Sequence, residues 1–430
     1  MRSFTFFFLV GLYTSVSAQT VMHEVVNNLN KGNFNKVYRC FDERMKETIK
    51  KDQLEEVWKQ LTANSGKYIA IDDIKIEDID DGIKESGTLR FEGVAVKMLL
   101  SQNSKKKISG LYVTQLGYQL ASYAKELSTG KKYIDFKSDT LTLSGELVIP
   151  IDCNNCPVAV LVHGSGPNDK DETIGPNKVF YDLAMGLARN GVATFRYDKR
   201  FRIYPNLMTQ QFDLYDETID DAIAALTALQ EDTSLSFGKY TMLGHSLGAY
   251  ALPLIADSLD SKLDAAILFS ANARRLEDLI EHQMNYLTNF DGEITDEEEE
   301  IIINNTARAQ NIRDGNYTDS TSAEVLLAYW PGTFWKSIGS YDPVEMVKHN
   351  DSLPFLILQG EKDYQITMTD FAIWKDAVST KPNVTMQSFP GLTHLFTPTD
   401  AERGSPQDYF APNNVSEEVI NVIAEWLNGL

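Results

Sequence analysis

Apolar positions along the chain follow two different rules on either side of about residue 130. From 19 to about 63 they recur at helical spacing, as in Val25, Leu29, Phe34, Val37 and Phe41, and predict short amphipathic helices. "YIAIDDIKIEDI", "KESGTLRFEGVAVKMLLS" and "KKKISGLYVTQL" then alternate between apolar and polar, as antiparallel strands joined by polar turns do. Helices followed by a run of strands predict a small α+β domain. Beyond residue 130 the pattern changes: "TLTLSGELVIP" reads as a strand reaching a turn at Asp152–Pro157, and short apolar runs follow in "VAVLVHGSG", "VATFRYDK", "YTMLGHSLG", "DAAILFSA" and "PFLILQGEKD". Runs of this kind form strands buried on both faces, and helical stretches such as Asp220–Leu229 lie between them. The expectation is an α/β unit built on a mostly parallel sheet.

Two stretches do not fit that alternation. Between the runs at 265–271 and 354–360 lie roughly 80 residues, about 275–352, that read as helices followed by the aromatic patch "AYWPGTFWKSIGSY". So long an insertion in a compact domain predicts a lid or cap with a role of its own. At the amino terminus, "MRSFTFFFLVGLYTSVSA" has Arg2, an apolar stretch and small residues at Val16 and Ala18, the pattern of a secretory signal peptide cleaved after Ala18. No later stretch approaches the roughly 18 to 20 apolar residues of a membrane helix. The expected organisation is therefore a signal peptide over 1–18, an α+β domain over 19–118 and an α/β domain over 119–430. The mature protein is expected to be secreted or periplasmic and not membrane-spanning.

Charge narrows the function classes. Forty Lys and Arg against sixty-one Asp and Glu give a formal charge of −21, which repels nucleic acid over most approach directions. The run Asp296–Glu300 reads as a solvated helix face. Of the three cysteines, Cys153 and Cys156 are close enough in sequence to pair in an oxidising compartment, leaving Cys40 alone. Clustered ligands for a metal are absent from the pattern, and no cofactor is expected.

Chemistry concentrates where ligands bind in such sheets, beyond the carboxyl ends of the strands. In "GHSLG" Ser246 stands between Gly244 and Gly248 directly after an apolar run, the spacing of a strand–turn–helix elbow that exposes a nucleophile. A serine hydroxyl needs a base, and the chain has six histidines. His23 lies in the other domain, His163 in the "HGSG" turn, His245 inside the elbow, and His282 and His349 on the insertion. His394, in "FPGLTHLFTP", follows an apparent strand at 384–389 and has the chain position of the base. The acid must come between nucleophile and base from a strand end; Asp363 does, with Glu361 the competitor. Ser246, Asp363, His394 is the Ser…Asp…His order of the α/β-hydrolase fold. An oxyanion site needs two backbone N–H donors; Leu247 supplies one, and the "VHGSGP" turn the other, through Ser165 first and Gly164 second. Gly164, Trp330, Phe334 and Trp335 are candidates to line a substrate pocket, with packing as the insertion's own core the alternative for the aromatics. "RYDKR" at 196–200 reads as a salt-bridged strand end.

On "HGSGPNDKDETIGPN", "RYDKR", "GHSLG", "SANARRLEDL", "QGEKDYQI" and "GLTHLF", the chain over roughly 130–430 resembles secreted bacterial α/β-hydrolases of the carboxylesterase and acyl-hydrolase kind. The amino-terminal region is similar, more loosely, to the cystatin-like or nuclear-transport-factor-like modules that precede such enzymes. The resemblance implies Ser246, Asp363 and His394 as a triad, a cap over the acyl or alcohol pocket, and a small-molecule ester as substrate. Relatives commonly have glycine after the "RYDKR" stretch, where this chain has Phe201. A homo-oligomer remains open. So do two other functions: a serine peptidase or aminoacyl hydrolase of the same fold, without room for the propeller such exopeptidases usually carry, and a catalytically silent binding protein.

Overall fold

The computed structural model describes residues 20–91, 95–209, 211–259 and 262–430. The signal peptide expected over 1–18 lies outside them. The chain divides into two compact units, Met1–Leu116 and Gly117–Leu430.

Among the described residues of the first unit four helices, Val21–Asn30, Phe34–Cys40, Glu43–Thr48 and Lys51–Ser65, precede four strands, Tyr68–Ile79, Gly82–Phe91, Ala95–Gln102 and Ile108–Gln115. The strands form an antiparallel meander in chain order. Met22, Val25, Val26 and Leu29 on the first helix meet Leu89, Met98 and Leu100 from the sheet, so the helical spacing and the strand alternation bury one shared apolar face. Glu85 is buried within a strand, and its carboxylate accepts the N–H groups of Val21 (3.1 Å) and Met22 (2.6 Å) at the start of that first helix. Those are donors with no partner inside the helix, at the end that favours negative charge.

An eight-stranded sheet forms the second unit. Its order is Val384–Phe389, Phe355–Gly360, Ala265–Phe269, Lys239–His245, Pro157–Val162, Ala193–Tyr197, Leu141–Pro150 and Thr129–Ser138. The first six strands run parallel, and the last two join antiparallel at one edge. The apolar runs have a direct cause. Val158, Val160 and Val162 point into one core and Ala159 and Leu161 into the other; Ala266 and Leu268 alternate likewise with Ile267 and Phe269. Both faces are covered, so neither parity is polar. The chain passes from Pro157–Val162 to Ala193–Tyr197 on one side, then returns to Lys239–His245 on the other. The crevice between those two central strands is the topological switch point, where sheets of this kind bind ligands.

Of the insertion's helices, Leu276–Thr288 and Asp296–Arg313 pack together, with Arg313 Nε on Asp278 at 2.7 Å and Arg313 Nη2 on Glu281. The acidic run opens the second helix. Thr295 and Glu298 form a reciprocal capping box there, and the remaining acids face solvent.

Cys153 and Cys156 form a disulfide across the turn between two strands, and Cys40 is free and exposed. A loop so short removes little freedom from the unfolded chain. The double variant Cys153→Ser, Cys156→Ser should lose about 2 kcal/mol of stability, read as a lowered urea midpoint. An unchanged midpoint would mean that the crosslink holds nothing the turn does not already hold.

Candidate active site

The strand Lys239–His245 passes into the helix Leu247–Leu259 through a single residue, Ser246, at φ 55°. That conformation is costly for a residue with a Cβ, and it is held by close packing. A Cβ on Gly248 would lie 2.3 Å from the Val162 carbonyl oxygen, and one on Gly244 2.4 Å from that of Gly248. Only glycine lets strand and helix approach this closely. The Ser246 N–H donates to the Phe269 carbonyl at 3.0 Å, anchoring the turn to the neighbouring strand. Leu247, as the first residue of the helix, has an N–H with no acceptor inside it.

His394 lies on the loop after Val384–Phe389, and Asp363 on the turn after Phe355–Gly360. Both are buried, and His394 Nδ1 is 2.7 Å from Asp363 Oδ2. The Asp363 carboxylate is itself held by four hydrogen bonds. Its Oδ1 accepts from the N–H groups of Gln365 (2.8 Å) and Ile366 (2.9 Å), and its Oδ2 from Gln359 Nε2 at 3.1 Å as well as the imidazole. A carboxylate against Nδ1 selects the tautomer protonated there and leaves Nε2 to accept. Glu361 is exposed, with Oε1 accepting from Ser388 Oγ at 2.8 Å. His394 meets the elbow at its neighbour: the rings of His245 and His394 are 4.7 Å apart, and His245 Nε2 is 3.0 Å from the His394 carbonyl oxygen.

The "HGSG" turn follows the adjacent strand. A Cβ on Gly164 would lie 3.2 Å from that of Ser246, so the turn lies directly against the elbow. Gly164 N–H donates to Glu172 Oε1 (2.7 Å) and Gly166 N–H to Glu217 Oε1 (2.8 Å). Between them the Ser165 N–H has no hydrogen-bond acceptor among the described residues. Lys199 Nζ completes the clamp, donating to the Gly164 carbonyl (3.0 Å) and to Glu217 (2.7 Å). Burial pushes the Glu217 carboxyl above its ordinary range, against the pull of the Lys199 ammonium. Sequence reasoning missed Glu172 and Glu217, and it gave Lys199 no part near the site. For Glu172 alone there was a signal, the four charged residues after "HGSG", more than a glycine turn needs.

"RYDKR" is a salt-bridged strand end. Arg196 pairs with Glu146 (2.9 Å) and with Asp171, and Arg200 with Asp221 (2.8 Å). Phe201, where relatives commonly have glycine, is buried with its ring 5.2 Å from Phe212. His163 is buried between Phe180 and Tyr197, and burial lowers its pKa to about 4, so it is neutral. His282 and His349 are exposed on the insertion. Phe334 and Trp335 are buried in the core that continues from the sheet, and Trp330 is half-buried against them, 4.3 Å from Phe334 and 5.7 Å from Trp335.

A family model described as serine aminopeptidase, S33, matches residues 176–400, more than half of the chain. The chain belongs to the S33 serine aminopeptidase family of α/β-hydrolases. A second model, a protein of unknown function (DUF3887), matches residues 23–111 ahead of the S33 region. Esterase EstD of Thermotoga maritima is 31% identical over 410 residues, 94% of this chain and 93% of that protein. Among solved structures, Est1E from Butyrivibrio proteoclasticus is 18% identical, covering 70% of this chain and 98% of its own, with a TM-score of 0.42. A proline iminopeptidase from Mycobacterium smegmatis is 14% identical over 70% of this chain and 98% of its own, with a TM-score of 0.43. No helix among the described residues of this S33 family member is long and apolar enough to cross a membrane.

Proposed function

We propose that the protein is a serine carboxylesterase that hydrolyses small carboxylic esters through an acyl-enzyme on Ser246. The observation that carries this reading is the likeness to an esterase along nearly the whole chain, both units included. Ser246 Oγ attacks the ester carbonyl while His394 Nε2 takes its proton, and the carbonyl electrons collect on oxygen. Asp363 holds the imidazole in the required tautomer and stabilises its cation without accepting the proton. The N–H groups of Leu247 and Ser165 stabilise the oxyanion. Collapse expels the alcohol, which leaves with the proton from His394. Water, deprotonated by the same imidazole, then releases the acid and restores Ser246. Only side chains, backbone and water take part.

A serine peptidase or aminoacyl hydrolase is the second reading, favoured by the description of the family model. Turnover of p-nitrophenyl butyrate is expected, with aminoacyl p-nitroanilides slower by at least about a hundredfold in kcat/KM, a difference near 2.7 kcal/mol. The reverse order would replace the esterase reading by the peptidase one, and absence of both activities would favour a binding protein. The region 19–118 is proposed to stand apart from the chemistry, since its sequence offers one histidine, His23, and no clustered nucleophile or base. The insertion over 275–352 is proposed as the cap, with Trp330 the least buried of the three candidate aromatics Trp330, Phe334 and Trp335. Export is proposed from the leader pattern, and the Cys153–Cys156 disulfide suits an oxidising compartment.

A further inference from the structure

His245 and Glu172 are buried and take no part in the chemistry above, yet they connect both halves of the site. His245 Nε2 is 3.0 Å from the His394 carbonyl oxygen, and His245 Nδ1 is 2.9 Å from Glu172 Oε2. The other oxygen, Glu172 Oε1, accepts the Gly164 N–H at 2.7 Å. Glu172 itself adopts φ 47°, a strained conformation for a residue with a side chain, so the surrounding structure fixes it firmly.

Counting protons fixes how many the pair holds. A carbonyl oxygen can only accept, so Nε2 carries a hydrogen. A carboxylate can only accept as well, so a second hydrogen lies between Nδ1 and Oε2. We propose that His245 and Glu172 form a buried imidazolium–carboxylate positioning pair. It ties the backbone of the catalytic histidine, at His394, to the oxyanion turn, at Gly164, through the residue next to the nucleophile. The proposal rests on the roles given above to His394 and Ser165.

The charges around the pair agree with it. Burial opposes the His245 cation, yet the Glu172 carboxylate, the His394 carbonyl and Asp363 together raise the histidine's pKa; burial likewise opposes Glu172 ionisation, yet His245 and the Gly164 N–H, with the other neighbours, lower that pKa. Facing groups are accounted for from each neighbouring element. His163 is neutral, Lys199 is matched by Glu217, Asp363 is engaged by His394, and the Phe269 ring, 5.7 Å from His245, is uncharged. The net-neutral pair can therefore stay buried with every polar atom bonded.

Two substitutions separate geometry from mere bulk. Gln at 172 can still accept from Gly164 and can donate to a neutral His245, which keeps its Nε2–H on the His394 carbonyl. Glu172→Gln should thus keep at least a tenth of the parent kcat on p-nitrophenyl butyrate. Glu172→Ala breaks both connections and should lower kcat at least a hundredfold with KM within about threefold, because the reacting groups and not the bound ester are displaced. Side-chain ¹⁵N NMR of the full-length chain at pH 7.5 should show one histidine with both ring nitrogens protonated, absent in His245→Gln and converted to the neutral Nε2–H form in Glu172→Gln. A singly protonated His245 in the parent overturns the proposal, and so does Glu172→Gln falling as far as Glu172→Ala. Retention of more than a hundredth of kcat in a folded Glu172→Ala overturns it too. If the alanine variant does not fold, the glutamine variant and the NMR signature decide. If the parent turns over no ester, the esterase reading fails, while the NMR signature still tests the pair by itself.

Discussion

Ser246→Ala is expected to leave a folded protein whose kcat on a small ester is lower by about 10⁶. The size of the loss follows from how the residue is used. Its backbone carries the structural load: the N–H bonds to Phe269, and the left-handed φ of 55° is imposed by contacts at Gly244 and Gly248. Alanine has the same Cβ, so it meets the same strain and leaves those contacts in place. What disappears is the oxygen proposed to attack. The two proposed N–H donors remain and should sustain, with substrate binding, a small rate above that in water, about 10³- to 10⁴-fold. A fluorophosphonate probe should label the parent at Ser246 only and the variant nowhere, with thermal unfolding of the two superimposable. Labelling at Ser165, or turnover within a hundredfold of the parent, would remove Ser246 from the proposed role.

The features legible in sequence were those whose cause is local. A strand covered on both faces needs apolar residues at both parities, so runs such as Val158–Val162 announce themselves. The elbow is legible for a similar reason, because two close backbone approaches demand glycine at 244 and 248. Thr129–Ser138 is not legible because it is an edge strand with exposed and buried positions alternating among lysines, and it resembles a polar turn. The hardest residues to find were Glu172, Glu217 and Lys199. In "NDKDE" a carboxylate reads as solvated, and only the folded chain places that carboxylate under Gly164 and against His245. Burial of charge is a tertiary property: it requires a partner 18 residues away for Lys199 and Glu217, and 73 residues away for Glu172 and His245. Sequence spacing carries no trace of such pairings. Phe334 and Trp335 make a related point, since an aromatic side chain suits a pocket wall and a core equally well, and packing alone separates them.

The contest between Asp363 and Glu361 yields the second large effect. Both follow the strand Phe355–Gly360, but their surroundings differ in kind. Asp363 has one oxygen fixed by two backbone N–H groups and the other shared between Gln359 and the His394 ring. Asparagine can present a single carbonyl oxygen to those donors. If that oxygen stays on the Gln365 and Ile366 N–H groups, the amide NH₂ faces Nδ1. The ring must then accept there and carry its proton on Nε2, where it cannot take one from Ser246. A swap of this kind at a triad aspartate costs about 10⁴ in kcat. Asp363→Asn should therefore lower kcat near neutral pH by about that factor while KM changes little. Glu361 faces solvent with one bond to Ser388, so Glu361→Gln removes a charge without moving the imidazole. Its kcat should stay within about tenfold of the parent, near 1.4 kcal/mol in the barrier. Raising the pH should partly rescue Asp363→Asn, because hydroxide can replace the misdirected base in removing the Ser246 proton, and no such rescue is expected for Ser246→Ala. If Glu361→Gln were the crippled variant and Asp363→Asn were not, the acid of the site would have to be reassigned, with Ser246 and His394 unaffected.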